Sequence, residues 1–267
     1  MRNLVPTMIR ERFRAGERTG SFEAVALFVD ISQFTALTET LMQHGKAGAE
    51  VVTEVLNNIF NPLVGSVYQH GGFISTFAGD AFTALFLVED SDTPGHAVFV
   101  ADLIRRFFEE NGDIATQFGN FQLGVKIGVG QGSVEWGILG RGDHLTYFFR
   151  GQAVDRCAAA EHLAERGHVV LGPETADSLA GRVALEPIAD HFRLLGHQID
   201  LPQRSVESGE PEVEALRPFL LDTVINMNVP AEFRDVASVF ISFDEPDTME
   251  ALDAFATQVL DAAINYG

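Results

Sequence analysis

"FEAVALFVDISQFTAL", residues 22–37, is the stretch from which the fold can be read. Phe22 to Val29 is an apolar run of strand length, rich in residues that suit a pleated, buried surface. Asp30 ends it without a polar spacer, and Ile31-Ser32-Gln33 turns the chain toward Phe34-Thr35 and a helical pattern. A carboxylate in that position either caps the next helix or forms half of a site. A second carboxylate aimed at the same place would decide between the two.

Working outward, residues 35–70 carry one long helical pattern. Val52, Val55, Leu56, Ile59, Leu63 and Val67 recur every three or four residues, an apolar stripe that Gly71-Gly72 ends. "FISTF" (73–77) and "AFTALFLV" (81–88) are two strands separated only by Ala78-Gly79-Asp80, a tight hairpin. After the "EDSDTPG" loop, "HAVFVADLIRRFFEEN" (96–111) is a second amphipathic helix. "FQLGVKIGVGQGSVEWGILG" (121–140) and "LTYFFRG" (145–151) are glycine-punctuated strands. "QAVDRCAAAEHLAERG" (152–167) is a third helix closed by Gly167, and "HVVLG" is a short strand after it. The order β-α-β-β-α-β predicts an α+β, ferredoxin-like sandwich with helices over a mixed sheet. "GVGQGS" (128–133) lacks the Gly-Lys-Ser/Thr of a phosphate loop and reads as a strand turn.

Composition excludes several functions. There are 38 acidic against 18 basic residues, a formal net charge of −20. Such a surface repels phosphate backbones and anionic lipid, so neither nucleic acid nor a membrane is expected as a partner. A nucleotide remains possible, because divalent cations bridge carboxylates to phosphates. Hydrophobic residues make up 46% of the chain, with 22 Phe, ample for a core. Cys157 is the only cysteine, which points to the reducing cytoplasm. The first twenty residues lack the apolar segment of a signal peptide, and no apolar run reaches the roughly 18 residues of a membrane span.

"RSVESGEP" (204–211) is the most polar, turn-rich connection. Beyond it, "DVASVFISFD" (235–244) lines up with "EAVALFVDIS" (23–32), Phe240 on Phe28 and Ile241 on Val29. Glu250 and Leu252 then fall on Glu54 and Leu56, and Ser242 stands where the first copy has Asp30. The expected organisation is a domain over residues 1–204 with a short N-terminal extension, a connector at 205–223, and the truncated opening strand and helix of a second domain at 224–267.

Asp80 sits at the tip of the hairpin. In a sandwich of this topology the first strand lies beside that hairpin, so Asp30 and Asp80 converge at one sheet edge. Paired carboxylates repel and shift each other's pKa unless a cation sits between them. Two aspartates with open positions suit Mg²⁺ or Mn²⁺ with substrate phosphates. The helix N-terminus after Ser32-Gln33-Phe34-Thr35 is suited to a phosphate. Read singly, Asp30 is a helix cap and Asp80 a turn residue; together they form a site.

"FVDISQFTALTE", "GAEVVTEVLNNIF", "HGGFISTFAGDAFTALF" and "VKIGVGQGSV…FFRGQAVD" resemble the class III nucleotidyl cyclase homology domain, over roughly Phe22 to Pro173. The resemblance is to the first, metal-contributing domain of soluble, bicarbonate-responsive adenylyl cyclases and their large bacterial relatives. It implies paired cyclase domains with the active site at their interface. It also implies two divalent ions, Mg²⁺ or Mn²⁺, and conversion of a nucleoside triphosphate, ATP foremost, to a 3′,5′-cyclic nucleotide and pyrophosphate. Carried over by motif, Asp30 and Asp80 are the catalytic metal ligands. The Ile31 carbonyl is a further ligand, and the N–H groups around Phe34 and Thr35 hold the β- and γ-phosphates.

The other half of the family pattern is absent. Thr76 replaces a base-selecting Lys, Phe148 a second base-selecting residue, Asp155 the ribose-orienting Asn and Ala159 the transition-state Arg. Loss of such an Arg costs about 10³-fold or more in phosphoryl transfer. A second cyclase domain, in the same or another chain, would supply these groups. The alternative is a pseudo-cyclase that binds metal-nucleotide and regulates a linked domain. Thr76 and Ala158 also stand where bicarbonate-responsive relatives carry Lys and Arg, so bicarbonate regulation is not expected.

Overall fold

Apolar alternation along a single long strand, β1, organises the sheet. A computed structural model describes residues 4–204, 212–226, 239, 241–244, 246 and 248–266. In chain order the elements are α1 (Thr7–Arg14), β1 (Thr19–Ser32), α2 (Phe34–Met42), α3 (Gly45–Gln69), β2 (Phe73–Ala78), β3 (Ala81–Leu87) and α4 (Thr93–Asn111). There follow β4 (Asp113–Thr116), β5 (Gly119–Gln122), β6 (Gly124–Arg141), β7 (His144–Arg150), α5 (Gln152–His162), β8 (Val169–Leu171) and α6 (Pro173–Ser178). β9 (Val183–Ile188), β10 (His191–His197), α7 (Val213–Leu216), α8 (Asp222–Ile225) and α9 (Met249–Tyr266) complete the described chain.

The strands order as β2-β3-β1-β6-β8-β10-β9, with β7 also paired to β6. The segment β2-β3-β1-β6 is the ferredoxin-like core. β1 runs antiparallel to β3, while β6 and β8 are parallel, so the sheet is mixed. On β1, Val25, Leu27, Val29 and Ile31 are buried in one cluster with α2, α3 and α4 residues such as Leu37, Ile59 and Ile104. Ala24 and Ala26, on the opposite face, join Leu85, Val134, Ala153 and Cys157 under α5. The period of two therefore places Asp30 on the α5 side of the sheet.

Several local expectations change. Asp30 lies inside β1, which continues through Ser32, and is not at its end. The long helix is two helices, because Gly45 adopts φ +58° and turns the chain between α2 and α3. "GVGQGS" lies within β6 and is not a turn. Its glycines serve packing: a Cβ at Gly128 would lie 2.0 Å from the Cys157 carbonyl oxygen, and one at Gly130 2.4 Å from the Cys157 nitrogen. α5 ends at His162, ahead of Gly167, and the chain then turns into β8. The β4–β5 hairpin and β9–β10 were not anticipated.

The chain divides into two compact units, Ser21–Glu135 with Phe149–Glu207, and Met1–Gly20 with Trp136–Phe148 and Ser208–Gly267. In the second unit, Phe219 packs edge-on against Phe13 and Tyr147. The Gly140 N–H donates to Asp253 Oδ1 on α9 at 2.8 Å. Half of the run expected as a strand at 235–244, including Phe240, falls outside the described residues; Val239 and Ile241–Asp244 are described and carry no strand. Residues 222–225, near the expected start of that domain, form the short helix α8. Residues 249–266 are helical.

Candidate functional site

Two strands and a turn bring the carboxylates together. Asp30 pairs with Ala81 across the β1–β3 ladder, so Asp80, the residue before Ala81, borders it. Ala78 and Ala81 close the β2–β3 hairpin around Gly79-Asp80, and Gly79 has φ +63°, a conformation glycine adopts without steric cost. The Thr35 hydroxyl donates to Asp80 Oδ2 at 3.4 Å, tying the first turn of α2 to the hairpin tip. The structure thus brings Asp30, Asp80 and Thr35 to one place, with Ile31 and Phe34 adjoining in the chain.

The N-terminus of α2 is entered through Gln33, whose φ of 69° is left-handed, and no side chain caps it. Its first bond runs from the Leu37 N–H to the Gln33 carbonyl at 3.3 Å. The Phe34 and Thr35 N–H groups lie ahead of that bond, the donors a helix leaves for an anion.

Lys126 was missed from the sequence. Its Nζ lies 3.5 Å from Asp30 Oδ2 and 2.7 Å from Glu161 Oε1. Val125, Ile127 and Val129 of β6 face the main core, so alternation sends Lys126 to the Asp30 side. The available signal was a lone lysine inside the apolar run "LGVKIGVG". Glu161, in "AAAEH", gave no signal, because its role depends on how closely α5 seats on β6.

Burial and neighbouring charges both act on Asp30. Burial pushes the Asp30 carboxyl above its ordinary value; Lys126 opposes this, while the Glu161 and Asp80 charges push the same way. Lys126 is held above its usual range, chiefly by its hydrogen bond to Glu161. Among the described residues Ser32 Oγ is a buried hydroxyl without a hydrogen-bond partner, one residue from the Ile31 carbonyl. No group of three or more His, Cys, Asp and Glu side chains among the described residues forms a metal cage. Two carboxylates and a backbone carbonyl, completed by solvent and phosphate, fit Mg²⁺ or Mn²⁺ rather than an all-protein site.

Four positions depart from the family pattern, Thr76, Phe148, Asp155 and Ala159. Thr76 is exposed on β2, and Asp155 and Ala159 are exposed on α5. Phe148, on β7, packs so close to Gly137 that a Cβ there would lie 2.4 Å from its ring. Arg150, at the end of β7, pairs with Glu135 at 3.1 Å.

The model of the adenylate and guanylate cyclase catalytic domain family matches residues 18–198. The chain belongs to that family. It is a class III cyclase catalytic domain, homologous to adenylyl cyclase domains, and cyclases of this class use divalent metals. Adenylate cyclase type 10 of Homo sapiens is 35% identical to this cyclase domain over 156 residues, 57% of this chain and 10% of that protein. The match thus spans about a tenth of that relative's length. The guanylyl cyclase Cya2 superposes with a TM-score of 0.57 at 23% identity, covering 70% of this chain and 100% of that one. The guanylate cyclase domain of RhGC from Catenaria anguillulae, solved in complex with GTP, gives 0.54 at 18% identity, over 67% and 100%. These two structures establish the cyclase fold. No helix among the described residues is long and apolar enough to cross a membrane.

Proposed function

We propose that this cyclase domain is the metal- and triphosphate-binding half of a nucleotidyl cyclase site, with ATP as its nucleotide, completed by a second cyclase domain. The observation that carries this reading is the convergence of Asp30, Asp80 and the Thr35 end of α2 at the β2–β3 hairpin. Asp30, Asp80 and the Ile31 carbonyl would hold divalent cations, and the Phe34 and Thr35 N–H groups would take phosphate oxygens. Divalent ions bound there would supply charge neutralisation of the triphosphate and an acidified ribose 3′-hydroxyl.

What this domain's residues do is hold and orient the anionic end of the substrate. They do not read the base, because Thr76 has one short hydroxyl where the family carries a lysine. They do not stabilise charge on the reacting phosphate either: Asp155 is anionic and Ala159 has no polar atom. A partner domain with the missing Lys, Asn and Arg completes the reaction, and residues 224–267 are proposed as the opening of such a domain.

Calorimetric titration of Mn²⁺ with a non-hydrolysable ATP analogue tests the site. Wild type binds, and Asp30→Ala combined with Asp80→Ala loses binding by about 100-fold or more, as expected when charged ligands are removed. Equal binding by the double variant would show that the site lies elsewhere.

A further inference from the structure

Lys126 places a cation against one of the two carboxylates proposed to bind metal. Its ammonium lies 3.5 Å from Asp30 Oδ2 and 2.7 Å from Glu161 Oε1. The Glu161 side chain is only 12% exposed, whereas Lys126 and Asp30 are 33% and 30% exposed. Glu161 is also fixed from beneath. A Cβ at Gly128 would lie 2.3 Å from the Glu161 nitrogen, so the helix carrying this carboxylate rests directly on the strand carrying Lys126. Two carboxylates, Asp30 and Glu161, thus act on one ammonium, and the Asp80 charge acts in turn on Asp30.

We propose that Lys126 is a built-in placeholder for the divalent cation, and that Glu161 is the positioning residue that receives it. This rests on the reading of Asp30 and Asp80 as metal ligands. In the metal-free domain the ammonium offsets the charge of Asp30. A divalent ion bound by Asp30 would repel an ammonium sharing the same carboxylate. Metal entry is therefore an exchange: the ammonium leaves Asp30 while Glu161, its nearer partner, keeps it charged and anchored. A lysine suits this role because its point charge rides on a flexible four-carbon stem that can swing without breaking a fixed fork of bonds.

The exchange predicts opposite effects for the two partners. Without its competitor, the site in Lys126→Met binds Mn²⁺ about tenfold more tightly in the absence of nucleotide. In Glu161→Gln the ammonium has Asp30 as its remaining anionic partner, and Mn²⁺ binds several-fold more weakly. Lys126→Arg restores the competing charge and returns the affinity toward wild type. The measurement is free Mn²⁺ by electron paramagnetic resonance, on the full chain, at fixed pH and ionic strength and without nucleotide.

If Lys126→Met binds Mn²⁺ no more tightly while Asp30→Ala abolishes binding, the exchange is overturned and the metal site stands. If Asp30→Ala keeps wild-type affinity, the metal site itself is wrong and the exchange goes with it. Should Lys126→Met fail to fold by circular dichroism, Glu161→Gln decides alone, and unchanged or tighter binding there overturns the proposal.

Discussion

Gln33 carries φ 69° and ψ 10°, the left-handed conformation that every L-residue with a Cβ adopts at a cost. It is exposed and makes no side-chain cap, so no contact in α2 offsets that cost. The strain sets the angle at which β1 passes into α2 and so presents the Phe34 and Thr35 N–H groups beside Asp80. Gln33→Gly is expected to stabilise the domain by about 0.5–1 kcal/mol, read from the urea midpoint, with Mn²⁺-nucleotide affinity retained. A destabilised glycine variant would mean that the Gln33 side chain contributes more than its backbone costs. At this scale the sequence was most informative about acids in motifs. Asp30, Asp80 and Thr35 announce themselves by their neighbours, whereas Lys126 and Glu161 matter only through a contact 35 residues apart in the chain.

At the level of elements, the βαββαβ order was readable because each piece carries its own pattern, short apolar runs for β1 and β3, a repeat of three to four for α3 and α4. The break between α2 and α3 was not, since the apolar rhythm continues across Gln43-His44-Gly45 and only the backbone of Gly45 turns. The close seat of α5 was equally hidden, because the glycines at 128 and 130 read as flexibility until a helix is laid over them. A second hidden contact joins α3 to α4. His70 Nδ1 lies 3.1 Å from His96 Nδ1, both residues are 3% exposed, and the Phe99 ring lies tilted against His70 with centroids 5.0 Å apart. One ring must donate and the other accept, so at least the accepting ring is neutral. Burial lowers both pKa values from the ordinary 6.5, and the Arg204 charge lowers them further; for His96 the His70 ring acts the same way, with Asp90 and Asp92 opposing. The unfolded chain therefore takes up protons first as pH falls through 6.5, and stability present above that value declines toward the lowered folded pKa values. The urea midpoint is expected to drop between pH 7.5 and 5.5, and less steeply in His70→Asn. Identical slopes in the two proteins would remove the pair as the cause.

For the whole molecule, the proposed site is asymmetric: Asp30, Asp80 and the start of α2 are assigned to metal and triphosphate, while Thr76, Phe148, Asp155 and Ala159 stand where the resemblance places groups for base, ribose and transition state. The purified chain is expected to make little or no cyclic nucleotide from ATP or GTP with Mn²⁺, by at least the roughly 10³-fold that one transition-state cation contributes. Supplying a cyclase domain that carries the Lys, Asn and Arg should raise the activity, and Asp30→Ala should abolish it. Robust turnover by the chain alone would refute the half-site reading. A folded, complete pair that binds metal-nucleotide and turns over none of the common triphosphates would favour the regulatory alternative. The β2-β3-β1 part of the sheet was legible in the sequence because its strands are apolar runs bounded by turn residues, whereas β9 and β10 were not. Residues 213–225 were not, because α7 and α8 are single turns of four residues without a period long enough to read.

The seating of α5 also bears on how such a domain can diverge. Its inner face is locked: Ala153, Cys157 and Ala160 are buried, and backbone fills the space where side chains at 128 and 130 would go. Its outer face, with Asp155, Ala158 and Ala159, is open to solvent. Drift on that outer face meets no folding penalty, whereas drift beneath it would lift the helix and take Glu161 with it. One helix therefore separates two kinds of selection. Groups that would serve a partner's chemistry can be lost freely, while the half proposed to hold metal stays in place because the fold itself depends on the same contacts.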